Sequence, residues 1–477
     1  MKPKIKKISK KSSRASLRIL FVTRYPGQFH HLKNIFEAIV KRGHNLKVLF
    51  GFKERRNTSE YITTIENFKK EYPNFDYDYS VTRTGLWNYI LTTSRDLLTY
   101  RRYLLIPQSN YYKDRWREGF PTWIKDFLST KIGEKVLKSD WTYRGLKFLE
   151  RKIAPSQAIV ASILEYAPDA VLASPVNMRV DGAVADLDYL KAAKFLKIPT
   201  ALPVMTWDNL TTKGLIHVAP DKLLVWNDAH LAQAKLIHGI SADNIRVAGA
   251  PLFDSWFSNL KAQTSRAKFC AAHGLNPKYP ILTYLGSSTN MVKDETWLVR
   301  ELKKALAVSK DKKAQKIQIV VRPHPANYEI YKNFKEEGVV LIPKEGELPS
   351  DDRALQLFYE TLHHSFATIG VNTSAMIDSI IAGLPGIALL TEKYKSTQVD
   401  TEHFSQLLGE GVMEVVGKLE ELPSVLVNIM NGEDVKKSKR AAFVKKFVRP
   451  RGLKMAAGDV VVGEVEELVK KNLGYRV

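Results

Sequence analysis

From Leu17 onward, short uninterrupted apolar runs alternate with longer stretches in which apolar residues return every third or fourth position. Uninterrupted runs suit strands buried on both faces of a parallel sheet, and the 3.6-residue period suits the helices that cover it. The pattern predicts strands over 17–23, 46–52, 170–174, 200–206, 222–226 and 245–248, with helices near 29–41, 156–165, 182–195 and 229–237. A second run predicts strands over 281–285, 317–321, 339–342, 367–370, 386–390 and 411–416, with helices near 265–273, 295–308, 351–362, 373–382 and 419–430. The fold class is therefore α/β: two Rossmann-like doubly wound domains facing a central cleft.

The segment from about 58 to 152 breaks this alternation, with aromatics and charges at helical spacing but no clear strand, and reads as a helical insertion in the first domain. The expected organisation is a basic tail over 1–16, a first domain over 17–250 and a second over 251–450. A C-terminal helix over 451–477 completes it.

Composition narrows the class. A chain of 477 residues exceeds one core, and 44% hydrophobic with 26% charged residues is a folding composition. Cys270 is the only cysteine, which excludes an intrachain disulfide framework or a Cys-rich metal site and suits the cytosol. No segment reaches the roughly 20 apolar residues of a membrane span. The net charge of +23 is uneven, with eight Lys/Arg and no acid in the first 18 residues. A second excess lies over 83–152, where Trp87, Tyr111, Tyr112, Trp116, Trp123 and Trp141 alternate with Lys and Arg. Such a surface suits an anionic membrane, an acidic polymer or a nucleic acid, or it is simply a solvated basic face.

Candidate chemistry sits where strands end. In "QIVVRPHPAN" the strand stops at Val321, which puts Arg322 and His324 at its carboxyl end, where doubly wound sheets place their ligands. Pro323 and Pro325 hold the residues before them extended. Arg offers a bidentate fork to a phosphate, and His can donate to a phosphate oxygen. "YLGSST" adds Gly286, Ser287 and Ser288 after another strand. "GVNTSAMID" opens a helix at Thr373 and Ser374, a seat for a diphosphate, with Asp378 one turn on as a ribose acceptor or a plain helix charge. The first half contributes "TRYPGQFHHL", with His30 and His31, and "MTWDNL", with Trp207, Asp208 and Asn209. Trp207 could stack on a sugar ring and Asn209 hold an acceptor hydroxyl; Asp208 competes with His30 as general base, and Asp181 is a third candidate.

These motifs resemble the GT-B glycosyltransferases, and over 284–452 the branch containing CDP-glycerol glycerophosphotransferases and related surface-polysaccharide enzymes. The likeness is carried by "RPHP", "GVNTSAMID…AGLP", "QVDTEHF" and "FVRPRG". It implies that His324 and Ser374, with Thr373 beside it, contact the donor diphosphate. The "PGQ-x-H" stretch is similar to the loop of UDP-glycosyltransferases whose histidine is the base, which implies His30 with His31 in reserve. The resemblance thus implies metal-independent transfer of a sugar or glycerol phosphate from a nucleotide-activated donor, without a cofactor. The acceptor would be a surface polysaccharide or lipid-linked glycan, and the enzyme would be cytoplasmic and peripheral on the inner face of the membrane. Nucleic acid is not an expected partner. The Asp76/Asp78 and Asp186/Asp188 pairs do not follow a clear strand, so no metal site is expected. Two other readings stand beside this one, a nucleotide-sugar 2-epimerase and a non-catalytic binder of anionic polymers or nucleic acid.

Overall fold

The structure is a computed structural model that describes residues 16–51, 58–106, 109–174, 186–258, 260–344, 352–472 and 474. The basic tail up to residue 15 and Asp181 lie outside the described residues.

The first sheet has seven parallel strands: β1 (Arg18–Thr23), β2 (Asn45–Phe50), β3 (Phe75–Tyr79), β4 (Ala170–Ala173), β5 (Thr200–Pro203), β6 (Lys222–Val225) and β7 (Ile245–Val247), in the order β3-β2-β1-β4-β5-β6-β7. The second has six: β8 (Ile281–Leu285), β9 (Gln318–Arg322), β10 (Val339–Leu341), β11 (Ala367–Gly370), β12 (Gly386–Leu389) and β13 (Glu414–Val416), in the order β10-β9-β8-β11-β12-β13. Each order reverses once, between β1 and β4 and between β8 and β11, and a doubly wound sheet opens its ligand crevice at that reversal. The two Rossmann-like domains expected from the apolar pattern are present.

One expectation needs correction. The segment 58–152 is not all helical, because Phe75–Tyr79 pairs in parallel with β2 as an edge strand. "FDYDY" hides it: Phe75 is buried, while Asp76 and Asp78 face Lys47 and Lys69 on the outer edge. Charged edge positions discourage pairing with another sheet.

The remaining insertion runs through helices Leu86–Leu105, Asn110–Glu118, Thr122–Leu128, Lys131–Lys138 and Asp140–Lys152. It has its own core, including Tyr100, Trp116, Phe120, Ile124, Leu128 and Leu137. A buried ionic knot fastens its base: Arg95 donates to Glu150 at 2.7 Å and to Asp188 at 3.0 Å. Its Asn110–Glu118 helix reaches the second domain, where Tyr111 donates to the Asn290 carbonyl at 2.5 Å.

The chain crosses between domains twice, at 248–257 and at 448–457, and these crossings are locked to each other. Ala250 N–H donates to Val448 O at 2.9 Å, and Arg449 pairs with Asp254 at 2.9 Å. The Asp254 carboxylate also accepts from Ala457 and Gly458 N–H, seating the start of the last helix, Ala457–Asn472. Gly249 adopts φ +99°, and a Cβ there would sit 3.0 Å from the Ala457 Cβ, so the crossing requires glycine. The last helix then packs Val461, Val462, Val465 and Val469 into the first domain beside Ile35, Phe36 and Ile39. Among the described residues no helix is long and apolar enough to cross a membrane.

Candidate active site in the interdomain cleft

A cavity of about 230 Å³ lies between the domains at the carboxyl ends of both sheets. The first domain lines it from the start of helix Phe29–Lys41, with His30, His31, Lys33 and Asn34. That start is built tightly. Gln28 Oε1 accepts from Thr23 Oγ1 at 2.6 Å and from Arg24 N–H at 3.0 Å, turning the chain sharply out of β1 through Pro26. Phe29, Leu32, Ile35 and Phe36 face the core, which leaves the two histidines on the cleft side. Asn34 spans to the crossing segment, donating to Pro251 O at 2.7 Å.

The second domain contributes the exits of three neighbouring strands: Leu285 and Gly286 after β8, Arg322 to Pro325 after β9, and Thr373 to Ala375 with Asp378 after β11. His324 Nδ1 accepts from Ala326 N–H at 3.1 Å, so the neutral ring carries its proton on Nε2 and is a donor toward the cavity it lines. Burial, with His30 and Arg322 nearby, lowers its pKa to about 4, which keeps it neutral at pH 7. The Arg322 guanidinium lies over the Phe358 ring, its carbon 4.0 Å from the centroid. Burial raises the Asp378 pKa to about 7 against the pull of the Trp256 indole and Arg322. Thr373 and Ser374 precede the helix Ala375–Ile381, which starts two residues later than the sequence pattern predicts.

The His30 and His31 rings lie side by side, centroids 3.8 Å apart and planes tilted by 44°. Burial lowers the pKa of His30 to about 4, against the Gly27 carbonyl, which favours a proton there. Burial, with His30, His324 and Lys213 nearby, lowers that of His31 well below its usual value, and the Asp208 charge offsets this only in part. Asp208 is held by hydroxyls of Thr206 at 2.7 Å and Thr212 at 2.8 Å, with Lys213 Nζ at 3.7 Å. Burial alone would raise its pKa, but Lys213, His403 and these hydroxyls hold it well below the carboxylate range. So tuned, Asp208 carries a negative charge at pH 7.

The other candidates lie elsewhere. Trp207 is buried, makes a T-shaped contact with the His403 ring at 4.7 Å and does not line the cavity. Asn209 is buried, and its side-chain oxygen accepts from Thr206 N–H at 2.7 Å. Ser287 is fully buried; its N–H donates to Glu295 at 2.7 Å and its hydroxyl accepts from Asn372 N–H. Ser288 uses its carbonyl to close the turn at Met291, and neither serine lines the cavity. Asp188 belongs to the Arg95 knot. Among the described residues there is no cluster of three His, Cys, Asp or Glu able to hold a metal.

Sequence reading missed the aromatic side of the cavity, Trp256 and Phe358, whose spacing is that of ordinary core residues. It also missed the charges tuning Asp208, Lys213 and His403, and the buried Glu295 that supports the β8 exit. His403 belongs to "QVDTEHF", whose presence after β12 was the available signal.

No family model matches the chain, and no curated protein sequence matches it. Solved structures do. The UDP-GlcNAc 2-epimerase of Neisseria meningitidis bound to UDP-GlcNAc superposes with a TM-score of 0.54 at 12% identity, covering 94% of this chain and 100% of that one. S. aureus MnaA in its UDP co-structure gives 0.54 at 10% identity, covering 95% and 97%. A glycosyltransferase from Rickettsia africae gives 0.51 at 12% identity, covering 97% and 100%. At these identities the likeness establishes the fold: two Rossmann-like domains about a cleft, as in GT-B enzymes that act on nucleotide sugars.

Proposed function

We propose that this chain is a GT-B transferase that moves a sugar or a glycerol phosphate from a nucleotide-activated donor to a surface-glycan or lipid-linked acceptor. The carrying observation is convergence: Arg322, the Nε2–H of His324 and the Thr373–Ser374 turn meet around one cavity, opposite two neutral imidazoles from the other domain. The donor side presents a cation and oriented donors, which suits a diphosphate without a metal. The acceptor side presents two neutral imidazoles as bases, His30 with His31 in reserve: the Gly27 carbonyl favours a proton on His30, whereas His30, His324 and Lys213 oppose Asp208 in disfavouring one on His31. At about 230 Å³ the cavity falls just below the roughly 300–1,000 Å³ of typical small-molecule sites. The basic, aromatic insertion suits work at the inner membrane face, where a lipid-linked acceptor would be found.

The test is thermal unfolding of the purified chain with UDP, CDP, GDP or ADP and no metal, repeated with His324→Ala, followed by donor turnover with His30→Ala and His31→Ala. One nucleotide should raise Tm by several degrees in the native chain and not in His324→Ala. His30→Ala should keep that shift and lose roughly 10²-fold in turnover, and His31→Ala should lose less. Absence of any nucleotide shift would sink the reading. The fold likeness also favours a second reading, a 2-epimerase, which predicts an epimeric donor without any acceptor. Asp378 is the one carboxylate lining the cavity among the described residues, a sparse acid set for that chemistry.

A further inference from the structure

Three consecutive short helices of the insertion, Thr122–Leu128, Lys131–Lys138 and Asp140–Lys152, each turn apolar side chains both ways. Ile124, Leu128 and Leu137 point into the insertion's core. Trp123 and Phe127, one turn apart, point out, as do Ile132 and Val136 on the next helix and Trp141 and Phe148 on the third. The exposure is large: 67% for Trp123, 72% for Ile132 and 82% for Trp141. Single exposed apolar residues are ordinary, but six on three adjoining helices form a patch of the kind that marks an interaction surface.

The helices are held as one platform. Thr130 Oγ1 accepts from Gly133 N–H at 3.0 Å and donates to Phe127 O at 2.7 Å. Ser139 Oγ and Thr142 Oγ1 both donate to Val136 O, at 2.8 and 2.7 Å. Gly133 packs so closely that a Cβ there would sit 2.0 Å from Phe127 O. Interleaved with the apolar side chains are exposed cations: Lys131 and Lys135 beside Ile132 and Val136, and Arg144 between Trp141 and Phe148. None of the three has an ion-pair partner among the described residues. Over 122–152 there are eight Lys/Arg against four acids, and one of those acids, Glu150, is buried in the Arg95 knot.

We propose that this face seats in the interface of an anionic lipid bilayer, with Trp123, Phe127, Ile132 and Trp141 entering the headgroup–acyl boundary and the cations meeting lipid phosphates. Tryptophan and basic residues around an apolar band are the side chains that such an interface favours. The same insertion touches the second domain through Tyr111 and Asn290, which would hold a membrane-borne acceptor's route close to the cleft. That last use rests on the transferase reading; the attachment itself does not.

The experiment is co-sedimentation of the full chain with phosphatidylcholine vesicles, with and without about 30 mol% phosphatidylglycerol. A Trp123→Ser/Trp141→Ser variant and a chain lacking residues 2–15 are run alongside. The native chain should bind the anionic vesicles and keep part of that binding in about 0.5 M salt, where charge attraction is largely screened. The double variant should lose roughly tenfold or more in partitioning while keeping its Tm and any nucleotide-induced shift, since both side chains are exposed. A dye on Phe127→Cys should shift to the blue on anionic vesicles; Cys270 is buried and leaves that label alone. Equal binding by the double variant, loss of all binding on removing the tail alone, or no dye shift would overturn the proposal. So would a dimer that the double variant dissociates, since the face would then cover a second copy.

Discussion

Adding one methyl group at Gly286 should damage the fold and the proposed donor site together. Its Cβ would lie 2.9 Å from both Arg322 O and His324 N, and 3.1 Å from Glu295 Oε1. Ordinary contact begins near 3.4 Å, so the exits of β8 and β9 must part by roughly 0.5 Å, and two of the three obstructing atoms are backbone. Overpacking of this kind costs about 1–3 kcal/mol. For a domain of this size each kcal/mol lowers Tm by about 2–4 °C, so Gly286→Ala should unfold roughly 2–12 °C earlier. The same displacement would move Arg322 and His324 off a bound diphosphate, and the proposed nucleotide affinity should fall at least tenfold, whereas a methyl added at an open, remote position should leave it unchanged. Gly145→Ala is the matched control: it sits on an exposed helix with nothing within 4 Å of its Cβ, and should be neutral or stabilise by about 0.5–1 kcal/mol. The measurement is thermal unfolding of both variants with and without the nucleotide that shifts the native chain. If Gly286→Ala unfolds within a degree of the native chain, the close approach of β8 and β9 described here is incorrect.

Two further outcomes follow from buried charge. Glu295 is fully buried, and burial raises its pKa to about 7 from an ordinary 4.5. A raised folded-state value means that stability is full below about 4.5, declines as pH rises and is lost through about 7, a span of roughly 3 kcal/mol. Glu295→Gln keeps an acceptor for Ser287 N–H and should flatten that decline in urea unfolding measured from pH 5 to 8; an unchanged slope would reject the assignment. Glu150→Ala leaves the buried Arg95 with Asp188 alone and should cost about 3 kcal/mol in the same assay. A loss under about 1 kcal/mol would mean that the knot contributes little to holding the insertion.

The strands were legible because parallel strands buried on both faces read as unbroken apolar runs, as in "RILFVT". The edge strand β3 was not, because its outer positions are aspartates that face lysines rather than core. A similar limit applies at the site. Knowing that a strand ends at Leu285 or at Pro203 puts the next residues at the cleft end of the sheet, but not on its cleft side. Arg322, His324 and the histidine pair turn toward the cavity, whereas Ser287 and Trp207 turn into the protein. Hydrogen-bond partners distant in sequence decide which way each turns, and spacing carries no trace of them.

The stretches that carry the family resemblance divide along the same line. "RPHP" and "NTSAMID" line the cavity, while Arg449 of "FVRPRG" holds Asp254 at the domain crossing. Gln398 of "QVDTEHF" donates to Val371 O and Leu389 O, both at 2.8 Å, pinning the exits of β11 and β12. These residues act one step back from any ligand: the β11 exit carries Thr373 and Ser374, and the crossing sets how far the His30–His31 wall stands from them. A resemblance in such positions therefore constrains how the two walls of the cleft are held. The identities of nucleotide and acceptor depend on side chains that contact them, and the motifs leave those free to vary.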